Sequence, residues 1–144
     1  MLSRQDYIEN ILDHHDYPRN KRVLKPTDIE VSGGNPGCGD IVVMYLRLDG
    51  DDRVAEASFQ GEGCTISLAA ASMLTEDVVG KTLDEVRQMS FEDIIDAMGK
   101  EVVSTRTRCA TLALTLVKGG SEKYQRDQRQ LRIDAEDRES IRSR

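Results

Sequence analysis

The forty residues 41–80, IVVMYLRLDGDDRVAEASFQGEGCTISLAAASMLTEDVVG, decide the fold, because the hydrophobic period changes inside them. Over residues 41–48, Val43, Tyr45 and Arg47 alternate with Val42, Met44, Leu46 and Leu48, the period of a strand rich in β-branched residues. Asp49-Gly50-Asp51-Asp52 is turn chemistry, and residues 53–59 resume with Val54, Ala57 and Phe59, which predicts an antiparallel hairpin. After Gly61 and Gly63 the apolar positions become Ile66, Ala69, Ala70, Met73, Leu74 and Val78, a helical period that stops at Gly80.

Outward from this core, residues 3–15 place Tyr7, Ile8, Ile11, Leu12 and His15 on one helical stripe. Pro18 ends that helix, and a turn or loop fills residues 18–26. Residues 27–31 can add an edge strand. Downstream, Thr82-x-x-Glu85 and Ser90-x-x-Asp93 read as capping boxes opening two short helices. A last helix is expected from about Cys109 through Leu112, Leu116 and Val117, closing at Gly119-Gly120. The order predicts an α+β domain, a small antiparallel three-stranded sheet with helices packed on one face. It occupies residues 1–118, and residues 119–144 form a charged C-terminal tail, helical or disordered.

Composition narrows the function. The chain has 144 residues, enough for one domain, and Leu, Ile, Val and Phe make up about a quarter of it, enough to collapse. A net charge of −6 has the wrong sign for a nucleic-acid or anionic-membrane binder, and with no Trp and two Phe there are few stacking platforms. The charged start lacks the apolar segment of a signal peptide, and no apolar run reaches membrane-spanning length. A cytoplasmic protein with no nucleic-acid and no membrane partner is expected.

Three reduced cysteines remain, 26 and 45 positions apart. Cys38 lies in the turn-rich Gly34-Asn35-Pro36-Gly37-Cys38-Gly39-Asp40, and Cys64 and Cys109 stand at expected helix starts, Cys109 just after Arg106 and Arg108. A free Cys is often a small buried hydrophobe. Helix N-termini and neighbouring cations favour the thiolate, so these positions predict reactive sulfur. Asp40 is either a turn residue at a strand entry or a fourth ligand, since Cys38-x-Asp40 can offer sulfur and oxygen to one metal. Three thiolates and one carboxylate suit zinc or an iron–sulfur cluster, and the harder carboxylate points to a site that releases what it holds. His14 and His15, adjacent on a helix, cannot share a metal; His15 is expected on the apolar stripe and His14 facing solvent or a partner. The motifs of zinc hydrolases and deaminases are absent.

The sequence resembles the NifU N-terminal domain family, the IscU and SufU proteins of iron–sulfur cluster assembly. The resemblance is carried by Asp13-His14 with Pro18-Arg19-Asn20, by Asn35-Pro36-Gly37-Cys38-Gly39-Asp40, by Phe59-Gln60-Gly61-Glu62-Gly63-Cys64-Thr65-Ile66-Ser67, and by Arg106-x-Arg108-Cys109-Ala110-Thr111-Leu112-Ala113. It implies that Cys38, Asp40, Cys64 and Cys109 bind a [2Fe-2S] cluster or zinc, with Cys38 and Cys109 the candidate persulfide acceptors. The implied function is a non-enzymatic scaffold that takes sulfur from a cysteine desulfurase and passes a cluster to recipient apo-proteins. The alternative is a zinc-dependent SufU-type sulfurtransferase that stimulates the desulfurase. Arg108 stands where IscU proteins carry His, and Val102-Val103-Ser104-Thr105 where many carry a chaperone-recognition motif, which argues against a dedicated Hsp70-type chaperone. The surroundings of Cys109 are similar to SufU, whereas the short step from Cys64 to Cys109 is similar to IscU.

Overall fold

A computed structural model of the chain describes residues 2–35 and 39–142. The elements run α1 (Arg4–Asp16), β1 (Ile29–Asn35), β2 (Asp40–Leu48), β3 (Val54–Glu62), α2 (Thr65–Val78), α3 (Leu83–Gln88), α4 (Phe91–Met98) and α5 (Thr107–Arg142). The strands form one antiparallel meander in the order β1-β2-β3, so the expected α+β architecture is the one observed. Val42, Met44 and Leu46 of β2 and Ala57 and Phe59 of β3 are buried in one core with α2, α4 and α5. Each large side chain buried there contributes about 1.5–3 kcal/mol.

The strands run further than their apolar pattern. β1 reaches Asn35, which pairs with Asp40, and β3 continues through Gly61 to Glu62 opposite Ile41. The glycines here serve close backbone approach: a Cβ on Gly34 would lie 2.0 Å from the Asp40 carbonyl oxygen.

The α1 stripe is rotated from expectation. Ile11 and His14 are the buried residues of this helix, whereas Leu12 is 45% exposed and His15 half-buried. His14 is therefore a packing residue, because α2 offers it a polar partner. Its Nδ1 lies 2.8 Å from the Ser72 hydroxyl, and Ser72 Oγ also accepts the Arg19 amide at 2.8 Å. Asn20, in the left-handed conformation that Asn tolerates (φ 61°), donates its side-chain amide to Thr75 and accepts the Phe59 amide. The motif residues His14, Arg19 and Asn20 thus clamp α1 and the loop after it onto α2 and the sheet.

Both capping segments open helices. Thr82 and Glu85 form the reciprocal box, while the Ser90 hydroxyl accepts from Glu92. The last helix does not close at Gly119-Gly120: α5 is continuous for 36 residues. Gly120 is buried against β1, where an added Cβ would come 2.9 Å from Ile29 Cγ2, so it marks close helix–strand packing. Beyond it, Lys123–Asp127 and Gln130–Asp134 pairs one turn apart support a largely exposed helix. Among the described residues, no helix is long and apolar enough to cross a membrane.

Candidate metal centre

Asp40, the first residue of β2, is 1% exposed although it is charged. Its burial is organised by hydrogen bonds. Oδ1 accepts the Cys64 backbone amide at 2.9 Å, and Oδ2 accepts the Cys109 thiol at 3.1 Å and the Asn35 side-chain amide at 3.4 Å. The β-ladder supplies Asn35 as the residue opposite Asp40. Gly63 makes room, since a Cβ there would lie 2.5 Å from Asp40 Oδ1.

Cys64 is the N-cap of α2, and its sulfur takes the place of the usual capping oxygen, accepting the Ser67 amide at 3.4 Å. The Ser67 hydroxyl lies 3.5 Å from the same sulfur. Cys109 sits in the first turn of α5 and is 2% exposed. The donor atoms of Asp40, Cys64 and Cys109 all lie within 4.8 Å of one another. Cys38 lies outside the described residues.

Burial raises the Asp40 carboxyl, but its bonds from Cys64, Cys109, Asn35 and Ser67 outweigh that and leave it below the ordinary carboxylate value. Burial likewise opposes the Cys64 thiolate, and the hydroxyl and amide of Ser67 with the Cys109 thiol bring it below the usual thiol value. Cys109 departs from the expectation of a reactive sulfur. Its burial, the Asp40 carboxylate that accepts its proton, and Cys64 push its thiol up to about 12. Arg106 and Arg108 are exposed, and Asp40, distant in sequence, dominates the thiol's surroundings.

Two soft sulfurs and a carboxylate oxygen fit a tetrahedral centre, in which ligands stand about 2.0–2.3 Å from the metal. In this chain the Cys109 proton bridges two of the donors, and a metal held there would have to replace that proton. Asn35 and Ser67 lie within the motifs, and the sequence alone assigns neither a role. The signal for Ser67 is its position three residues after Cys64, the capping distance, which a sulfur cap conceals.

A family model described as the NifU-like N terminal domain matches residues 6–131. This chain belongs to that family. Among relatives of this NifU-like chain, the "Zinc-dependent sulfurtransferase SufU" of Bacillus subtilis is 37% identical over 134 residues, covering 81% of this chain and 90% of that protein. The "Iron-sulfur cluster assembly scaffold protein IscU" of Escherichia coli is 30% identical over 121 residues, covering 82% and 93%. The crystal structure of a nitrogen-fixing NifU-like protein (N-terminal) from Brucella abortus shares the fold at a TM-score of 0.68, with 21% identity and coverage of 86% and 99%.

Proposed function

We propose that this NifU-like chain is an iron–sulfur cluster assembly scaffold, building a [2Fe-2S] cluster on Cys38, Asp40, Cys64 and Cys109 and passing it to recipient apo-proteins. The observation that carries the reading is the convergence of Asp40, Cys64 and Cys109 from three separate elements. Kinship with the scaffold IscU of Escherichia coli supports it. In the proposed sequence a cysteine desulfurase persulfide gives its outer sulfur to a thiol of this chain, and the desulfurase leaves as a thiol. Reduction of two transferred sulfurs to sulfide takes four electrons, of which two come from the two ferrous ions as they become ferric and two from an external low-potential one-electron donor. The burial of Cys109 and its bond to Asp40 favour Cys38 as the first acceptor. The chain's own part is to present, orient and shield the donors. Val103 is fully buried, which supports the reading that residues 102–105 are not offered as an extended chaperone-recognition peptide.

Anaerobic reconstitution with ferrous iron and sulfide tests the scaffold: a coloured, labile cluster is expected, and a folded chain that stays colourless would sink the idea. A second reading, a zinc-dependent sulfurtransferase, is favoured by the 37% identity to the Bacillus subtilis relative. Asp40, Cys64 and Cys109 would then hold zinc, which supplies Lewis acidity and keeps thiolates deprotonated. Stoichiometric zinc in freshly purified protein, together with strong stimulation of a desulfurase and no cluster on reconstitution, would select it.

A further inference from the structure

Ser67 stands one turn beyond Cys64 and is 1% exposed. Two of its groups face the Cys64 sulfur, the amide at 3.4 Å and the hydroxyl at 3.5 Å. The same hydroxyl donates to the Cys64 carbonyl oxygen at 3.0 Å. That carbonyl has another partner, the Leu68 amide at 3.2 Å.

A hydroxyl has one proton to give and two lone pairs to receive. Here the hydroxyl is placed to donate to the Cys64 carbonyl, with the Asp40 carboxylate and the Cys64 sulfur also close to it. The sulfur is a second acceptor within the hydroxyl's reach, and rotation about the Cβ–Oγ bond would aim the hydroxyl proton at it. The Cys64 carbonyl would keep the Leu68 amide and the Asp40 carboxylate the amides of Cys64 and Asn35, so such a turn would orphan no buried polar group. Resting on the centre proposed above, the geometry points to Ser67 as a positioning residue for Cys64: a hydroxyl rotor that, with its own amide, aims and stabilises the ligating sulfur. Such bonds from outside the ligand set govern ligand orientation and metal affinity, and hydrogen bonds to sulfur shift cluster potentials.

Cobalt(II) serves as the probe, its dissociation constant read by chelator competition and its sulfur-to-cobalt charge-transfer band by absorption. Ser67→Ala is expected to bind about 10–100-fold more weakly, with the band moved to longer wavelength and the helical circular dichroism retained. Ser67→Thr, which keeps the hydroxyl, should restore both; a Thr variant as weak as the Ala variant counts against the hydroxyl. Unchanged affinity and band in Ser67→Ala overturn the assignment. The unaltered chain loaded with a magnetically active cadmium isotope gives an arm that needs no variant to fold. There the Ser67 amide proton should show scalar coupling to the metal through the Cys64 sulfur, and absence of coupling also overturns it. Cys64→Ala separates the two readings. If it binds cobalt as the parent does, the centre itself fails; if it loses cobalt while Ser67→Ala does not, Ser67 alone fails.

Discussion

Gly63 and Asp40 touch so closely that a single methyl group on Gly63 would stand 2.5 Å from the Asp40 carboxylate oxygen and 3.0 Å from the Ser67 hydroxyl. Gly63→Ala must therefore move the carboxylate that the Cys64 amide and Cys109 thiol both use. Overpacking of this kind costs about 1–3 kcal/mol. The expected result is a folded chain with a lowered melting temperature and at least about tenfold weaker cobalt binding, measured by calorimetry and chelator competition.

Asp40→Ala is expected to lengthen the lifetime of a reconstituted cluster. The carboxylate is the hardest of the proposed donors and exchanges more readily at iron than a thiolate does. Following the decay of cluster absorbance under a chelator gives the answer, and faster decay in the variant would refute the prediction.

The adjacent glycines of α5 should respond with opposite signs. Gly119 has nothing within 4 Å of an added Cβ, so Gly119→Ala gains helix propensity and stabilises by about 0.8–1 kcal/mol. At Gly120 the Cβ meets the branch methyls of Ile29 and Val31 at 2.9 and 3.2 Å. Those side chains are stiff, and the clash outweighs the propensity gain. Urea titration of both variants should place their midpoints on either side of the parent.

Stability should fall as the solution is acidified through pH 6.5, with His14 a contributor. Burial holds its pKa below 6.5, helped by Arg19 and opposed by Glu76, Asp13 and Asp77. The unfolded chain then takes up a proton that the folded chain refuses, so the loss starts near the unfolded value and levels off below the folded one. His14→Asn should flatten the urea midpoint over that range relative to the parent. An imidazole titration by NMR that returns a pKa at or above 6.5 would remove the basis of the prediction.

Truncation should divide α5 in two. Ser121 is buried, Tyr124 packs against the core, and Gln125 accepts from Arg87 and donates to Asp84. A chain ending at Gly120 is expected to lose several degrees of melting temperature, whereas one ending at Gln130 should keep its stability and its metal affinity. Thermal melts and cobalt titration of both truncations provide the check.

The sheet and the helices that follow it were legible because period two gives way to period 3.6 within a few residues, and Cys64 sits where that change happens, with Asp40 at the entry to the hairpin. The α1 stripe was not, because two overlapping stripes fit the same segment and a hydroxyl 58 positions away, on Ser72, decides which one turns inward. At Gly119-Gly120 the local stop signal loses to packing against β1. Cys109 misleads in the same manner, since its sequence neighbours are basic and the group it touches is the Asp40 carboxylate. At these three places a distant partner overrules a local preference.

Asp40, Cys64 and Cys109 come from the start of a strand, the cap of one helix and the first turn of another, and the bonds that join them here are the two hydrogen bonds to the Asp40 carboxylate. A metal or cluster bound by all three would act there as a further clasp. By mass action it would tighten the folded state by about 1.4 kcal/mol for every tenfold excess over its dissociation constant. Delivery of the cargo to a recipient would then also be an unfastening, and a scaffold emptied of its load a looser molecule than the one that arrived.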